Sequence, residues 1–145
     1  MATRIGVAEF LEKVNKLKKK EEKVAALKHN DSFIIRTILQ GAFDPRIKWL
    51  LPEGIPPYKP SELVDQENVL LREARRLIHF VEGGNPGLKQ LRRETLFVEL
   101  LESVAPADAK LLCLIKDKKL PYKGITEDIV KEAFPGLLPD EQIKS

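Results

Sequence analysis

Apolar residues recur at helical spacing along most of this chain. Val7, Phe10, Leu11, Val14 and Leu17 are separated by steps of three, one, three and three, which puts them on one face of a first helix. A second runs over Glu21 to Lys28 with Val24 and Leu27 inward. Asp31 stands at the N-cap position of a third, whose apolar face is Ile34, Ile35, Ile38, Leu39 and Ala42, and Asp44-Pro45 closes it. A long helix is predicted from Ser61 or Asp65 onward, burying Leu70, Ala74, Leu77, Ile78 and Val81. Gly83-Gly84 ends that helix, and Asn85-Pro86 restarts the chain as an N-cap followed by proline at the first helical position. Leu96, Phe97, Leu100, Leu101 and Val104 form the next stripe. Pro106 to Ile115 reads as a further helix with Asp108 in its first turn. Thr126 caps a last short one carrying Ile129, Val130, Ala133 and Phe134, after which FPGLLPDEQIKS is expected to leave the domain. Strict apolar–polar alternation never persists, and no Asn-Gly or Asp-Gly hairpin occurs. The expectation is an all-α single domain over residues 1–145, with about seven short helices.

Residues 44 to 61, DPRIKWLLPEGIPPYKPS, break this rhythm. Prolines at 45, 52, 56, 57 and 60 fix φ and push the residue before each toward extended backbone. Trp49, Leu50, Leu51, Ile55 and Tyr58 supply apolar anchors. The segment is expected to be an ordered, non-helical crossing rather than a linker.

Composition narrows the chemistry. With 145 residues and 43% hydrophobic content the chain can build a real core. Its 32% charged residues imply solvated outer helix faces, and a net charge of +3 permits a polyanion partner without demanding one. Cys113 is the only cysteine and lies in an apolar run, so neither a disulfide within the chain nor a cysteine-based zinc site is expected. His29 and His79 stand apart with no second histidine one turn away, which argues against a metal site. There is no glycine-rich phosphate loop before Lys-Ser/Thr and no Gly-x-Ser-x-Gly elbow. No apolar run approaches membrane length, and MATRIGVAEF lacks a signal-peptide core. A soluble, cytoplasmic, non-enzymatic protein without cofactor, metal or catalytic residues is expected.

The basic residues carry more information. Lys16, Lys18, Lys19, Lys20 and Lys23 cluster between the first two helices. Arg72, Arg75, Arg76 and His79 occupy i, i+3, i+4 and i+7, a single α-helical face on which like charges repel. Clustered guanidinium groups suit phosphate oxygens, which they bind bidentately. Gly84 and Asn85 form a helix-capping turn that also offers free N–H groups to an anion, and Lys89, Arg92 and Arg93 follow it. KDKKLPYKGI adds Lys116, Lys118, Lys119 and Lys123, with Gly124 after them. Taken one at a time, each cluster reads first as a solvated face.

Two stretches resemble a known family. EEKVAALKHNDSFIIRTILQGAFDPRIKWLLPEG, from Glu21, resembles the N-terminal helical region of ATP-dependent DNA ligases of the T-even phage type. KLLCLIKDKKLPYKGITEDIVKEAFPGLLPDEQ resembles the close of that same domain, and Gly84-Asn85 matches a turn within it. The likeness spans about residues 8–142. The whole chain also looks like a small uncharacterised protein family of T4-like phages, on FDPRIKWLLPEGIPPYKP and FVEGG. The ligase resemblance implies a helical module that grips double-stranded or nicked DNA through its sugar-phosphate backbone across the minor groove, with little sequence reading. The implied contacts are the Arg72 stripe, the Gly84-Asn85 turn and the loop from Lys116 to Gly124, with Tyr122 on a sugar and Asp117 fitting least well. The ligase adenylation motif Lys-x-Asp-Gly is missing, since Lys116-Asp117-Lys118 has no Asp-Gly after it, so ligation by this chain is not expected. An accessory of phage DNA replication or repair in the host-cell cytoplasm is implied. The alternative is a protein-interaction adaptor that binds a sliding clamp, another replication or transcription protein, or a host factor through the Trp49 to Tyr58 crossing.

Overall fold

The computed structural model describes residues 6–62 and 69–138. Among them stand seven α-helices: α1 (Val7–Lys16), α2 (Lys20–His29), α3 (Phe33–Phe43), α4 (Val69–Arg72), α5 (Gln90–Ser103), α6 (Pro106–Ile115) and α7 (Glu127–Ala133). A 3₁₀ helix, Ala74–Phe80, follows α4. No strand occurs among the described residues beyond an isolated antiparallel bridge between Trp49 and Val81. All-α architecture around one core is therefore the fold. Helix α6 lies near the centre, touching α1, α3 and α5, and α2 packs along α7. Leu11, Leu27, Ile38, Leu39, Leu101, Leu112 and Val130 meet in the shared core. Phe80 and Phe97 pack edge to face there, with centroids 5.2 Å apart, a geometry worth about 0.5–1.5 kcal/mol beyond area burial.

Four sequence expectations change. Asn85 caps no helix and Pro86 opens none, because α5 begins at Gln90 with Lys89 in the N-cap position and residues 85–88 form a turn before it. Ser32, not Asp31, caps α3: its Oγ accepts from the Ile35 N–H at 3.3 Å, while Asp31 forks onto Arg36 at 2.7 and 2.8 Å. The long helix expected after Ser61 is, within the described residues, one α-turn followed by a 3₁₀ helix; residues 63–68, with its expected start at Asp65, lie outside them. Ala74, Leu77 and Phe80 are buried at a spacing of three, which matches three residues per 3₁₀ turn. Ile78, expected inside on an α-helical count, is consequently 50% exposed. Finally, the start of the expected tail belongs to the core, because Phe134 and Leu138 are buried.

The crossing is ordered and non-helical as its prolines require. Leu50 N–H donates to the Phe80 carbonyl and Glu82 N–H to the Lys48 carbonyl, both at 2.8 Å. Trp49 turns inward: its Nε1 donates to the Gly41 carbonyl at 3.1 Å. Its ring fills the space where a Cβ on Gly41 would sit.

Candidate nucleic-acid interface

The segment KDKKLPYKGI divides its charges between two duties. Lys116 has a buried side chain; its Nζ donates to the Pro52 carbonyl and to Asp117 Oδ1, each at 2.8 Å. Asp117 Oδ2 in turn accepts from the Gly54 N–H at 3.0 Å. The pair staples the crossing to the end of α6, which explains an acid amid the lysines and withdraws Lys116 from the surface. Lys118 occupies the left-handed region at φ 61°. Two turn bonds close α6 around it, from Lys118 N–H to the Ile115 carbonyl and from Lys119 N–H to the Leu114 carbonyl, both at 2.9 Å. Its Nζ reaches the carbonyls of Gly41 (2.7 Å) and Asp44 (2.8 Å), so this cation sits at the negative end of the α3 dipole. Burial of the ammonium lowers its pKa, partly offset by Asp44.

Tyr122 is also turned inward, its hydroxyl donating to the Ala8 carbonyl at 3.1 Å, so it presents no ring to a sugar. Burial, reinforced by Glu12 and Asp108, pushes its pKa to about 12. Gly124 is the packing point of the loop. Its N–H donates to Asn15 Oδ1 at 2.6 Å, and its carbonyl accepts from Lys23 Nζ at 2.8 Å. A Cβ there would press into the Asn15 carbonyl at 2.8 Å. The glycine serves helix–loop approach within the protein.

The second group is likewise drawn into the architecture. Arg93 is buried, with Nε on the His79 carbonyl (2.9 Å), Nη1 on Gln90 Oε1 (2.6 Å) and Nη2 on the carbonyls of Asn85 (3.4 Å) and Leu88 (3.3 Å). Asn85 Nδ2 lies 3.0 Å from His79 Nδ1. A Cβ at Gly84 would collide with the Ile78 carbonyl. His79, Gly84, Asn85 and Arg93 thus come together, but as a self-satisfied loop. The arginine stripe does not hold as one face, because a 3₁₀ helix aligns residues three apart: Arg76 with His79, and Arg75 with Ile78. Arg76 pairs with Glu73 at 3.1 Å, and the Arg75 guanidinium lies 5.6 Å from the centre of the Phe33 ring. Arg72 is exposed, as is Lys89; Arg92 is exposed with Glu99 3.9 Å away.

What remains available is a lysine face that the sequence clusters did not join. Asn15 in α1, Lys23 in α2 and Gly124 hold the loop against the α1–α2 junction. Lys123 is exposed next to that clamped glycine, Lys18 and Lys19 are exposed at the α1–α2 junction, and these three form no ion pair among the described residues. Neighbouring Lys16 and Lys20 pair with Glu12 and Glu132 at 3.7 and 3.3 Å. Lys119 is exposed beyond the α6 turn. Lys119 and Lys123 belonged to the expected DNA-facing set; Lys18 and Lys19 did not. The Gly124 bonds to Asn15 and Lys23 that bring this loop to the junction span more than a hundred residues and have no local signal.

No group of three or more metal-ligating side chains occurs among the described residues, and no described helix is long and apolar enough to cross a membrane. Burial pushes the Cys113 thiol up, with a smaller upward push from Asp117 and a downward one from Lys116. That is the opposite of an activated nucleophile.

Residues 10–122 match the model of a family of unknown function, DUF6433. The chain belongs to DUF6433. The matched span runs from α1 through the crossing and the Arg93-closed loop to Tyr122, so this DUF6433 domain includes the α6 turn and stops short of Lys123-Gly124 and α7. No curated protein and no solved structure gives a significant match.

Proposed function

We propose that this DUF6433 protein is a non-catalytic module that binds duplex or nicked DNA through the phosphate backbone, as an accessory of DNA replication or repair. The observation that carries this is the clamping of Gly124 onto Asn15 and Lys23, which holds the Lys123 loop against the α1–α2 junction where Lys18 and Lys19 are exposed, all three lysines forming no ion pair among the described residues. Unpaired lysines on a rigid helix junction hold phosphates as point charges and read no base edges. The resemblance to ligase N-terminal domains points to the same ligand. The candidate contact set accordingly shifts toward Lys18, Lys19, Lys119 and Lys123, with Arg72, Lys89 and Arg92 as outlying exposed cations. The Trp49 to Tyr58 crossing is a poorer docking surface than its composition suggests, since Trp49 is turned onto Gly41.

Fluorescence anisotropy of labelled duplex, nicked duplex and single-stranded DNA at two salt concentrations tests this. Binding should weaken steeply with salt, and Lys18→Glu/Lys19→Glu/Lys123→Glu should weaken it about tenfold or more. Arg76→Glu should change it little. Absence of binding at low salt, or binding unaffected by the triple variant, overturns the proposal.

A further inference from the structure

The crossing is closed where Trp49 turns inward, but its far end is open. Ile55-Pro56-Pro57-Tyr58-Lys59-Pro60 holds three prolines, and the chain makes no turn, bend or helix across these residues. Each proline fixes its own φ at about −65°, and each pushes the residue before it (Ile55, Pro56 and Lys59) to extended ψ. Together the two constraints define a left-handed polyproline helix with about three residues per turn. On that count Pro57 and Pro60 share one ridge, and Tyr58 belongs to another.

The fold covers one side of this helix and leaves the other in solvent. Tyr58 is half-buried against the core, and half-buried Pro56 lines a concavity with Phe97 and Val98 of α5. Pro57 and Pro60 are exposed. The backbone is pinned on both sides of the ridge: Lys59 N–H donates to Glu102 Oε2 at 2.8 Å, while Lys116 and Asp117 hold the Pro52 carbonyl and the Gly54 N–H. The carbonyls of Pro56, Pro57, Tyr58 and Lys59 accept no hydrogen bond from any described residue. Charge contributes little, because exposed Lys59 and exposed Glu62 stand close in sequence with opposite signs.

We propose that the ridge of Pro57 and Pro60 docks into a partner protein's groove that is walled by aromatic rings and carries indole or phenol donors. The prolines pack between the rings and the donors meet the open carbonyls, as in other recognition of polyproline helices. Because the ridge is already ordered, docking costs it little conformational freedom. The surface shares no residue with the lysine face, and its contacts are apolar. Salt therefore separates the two proposals, since it weakens phosphate binding steeply and leaves an apolar ridge contact intact.

The probes are isolated SH3 and WW domains, each titrated at low and high salt into the isotope-labelled full chain while backbone amide shifts are followed by NMR. Saturable binding to at least one of them is expected, with the shifts gathered around Ile55 to Ser61 and the facing side of α5. Pro57→Ala/Pro60→Ala should bind about tenfold more weakly, with circular dichroism and Trp49 emission confirming that the variant folds. Should the double variant unfold, the single Pro57→Ala and Pro60→Ala variants carry the same test. Ile78→Ala, at an exposed apolar position on the 3₁₀ helix, should bind as the parent does. The proposal is overturned if no domain binds at millimolar concentration or if the proline variants bind as tightly as the parent. It is equally overturned if the shifts gather on another face or if high salt abolishes the binding.

Discussion

Lys118 holds the last turn of a helix 77 residues away: its ammonium lies 2.7 Å from the Gly41 carbonyl of α3. Trp49 Nε1 shares that acceptor, and the Asp44 carbonyl is 2.8 Å from the same Nζ. A left-handed lysine therefore joins the end of α6 to the end of α3. Loss of the ammonium and relief of the backbone act in opposite directions. Lys118→Met should destabilise by about 1.5–3 kcal/mol, the range for hydrogen bonds to charged groups. Lys118→Gly loses the same bonds but removes a left-handed strain of about 1–2 kcal/mol, so it should be the milder variant. Urea midpoints in the reverse order would contradict this account.

Arg93 closes the loop after the 3₁₀ helix with a planar fork that lysine cannot copy. Arg93→Lys should cost roughly 2–4 kcal/mol, because buried carbonyls lose their donors. Arg92, one residue away and exposed, should tolerate the same change within about 0.5 kcal/mol. Thermal unfolding of the two variants side by side separates a structural arginine from a surface one.

Asp44 is fully buried, and its carboxylate accepts from the Arg46 N–H at 2.9 Å and from the Arg46 guanidinium at 2.9 to 3.3 Å. Burial pushes its pKa up, but the hydrogen bonds from Arg46 and Gln40 outweigh that and hold it below the ordinary 3.8. The folded carboxyl thus binds its proton less readily than the unfolded one. Its contribution is present above pH 3.8 and is lost as pH falls through the lower folded value. Asp44→Asn should be less stable than the parent at pH 7, by about 1.5–3 kcal/mol, and the gap should close in acid. Denaturant titrations across pH 2 to 7 would expose a gap that fails to close.

Tyr122 shifts the other way. Its phenol ionises at about 12 in the fold against 10 in the unfolded chain. The stabilisation is complete below pH 10 and is lost as pH climbs toward 12, about 2–3 kcal/mol in all. Tyrosinate absorbance in Tyr58→Phe isolates the Tyr122 phenol, since these are the only two tyrosines. Ionisation near 10 in the native state would refute the buried hydroxyl. Tyr122→Phe should remove the alkaline step and cost about 1 kcal/mol at neutral pH.

The helices were legible because burial is periodic. Val7, Leu11 and Val14, or Ile34, Ile35, Ile38 and Leu39, record in their spacing which side meets the core. The prolines of the crossing and the Thr126 cap act over a few residues and were equally readable; Thr126 Oγ1 accepts from the Ile129 N–H at 3.4 Å. The segment around Ile78 misled because α and 3₁₀ periods differ by little over two turns. Only the AxxLxxF spacing of Ala74, Leu77 and Phe80 pointed to the tighter helix.

The sequence by itself determined the all-α class, most helix boundaries, the ordered crossing and the number of cations at each junction. Tertiary structure alone decided which cations are free. Lys116 and Arg93 were taken inward by carbonyls, Lys118 was bound across 77 residues, and Lys18, Lys19 and Lys123 were left exposed. The reason is physical. Periodicity encodes burial one turn at a time, whereas a cation's availability depends on which acceptor the fold brings within about 3 Å of it.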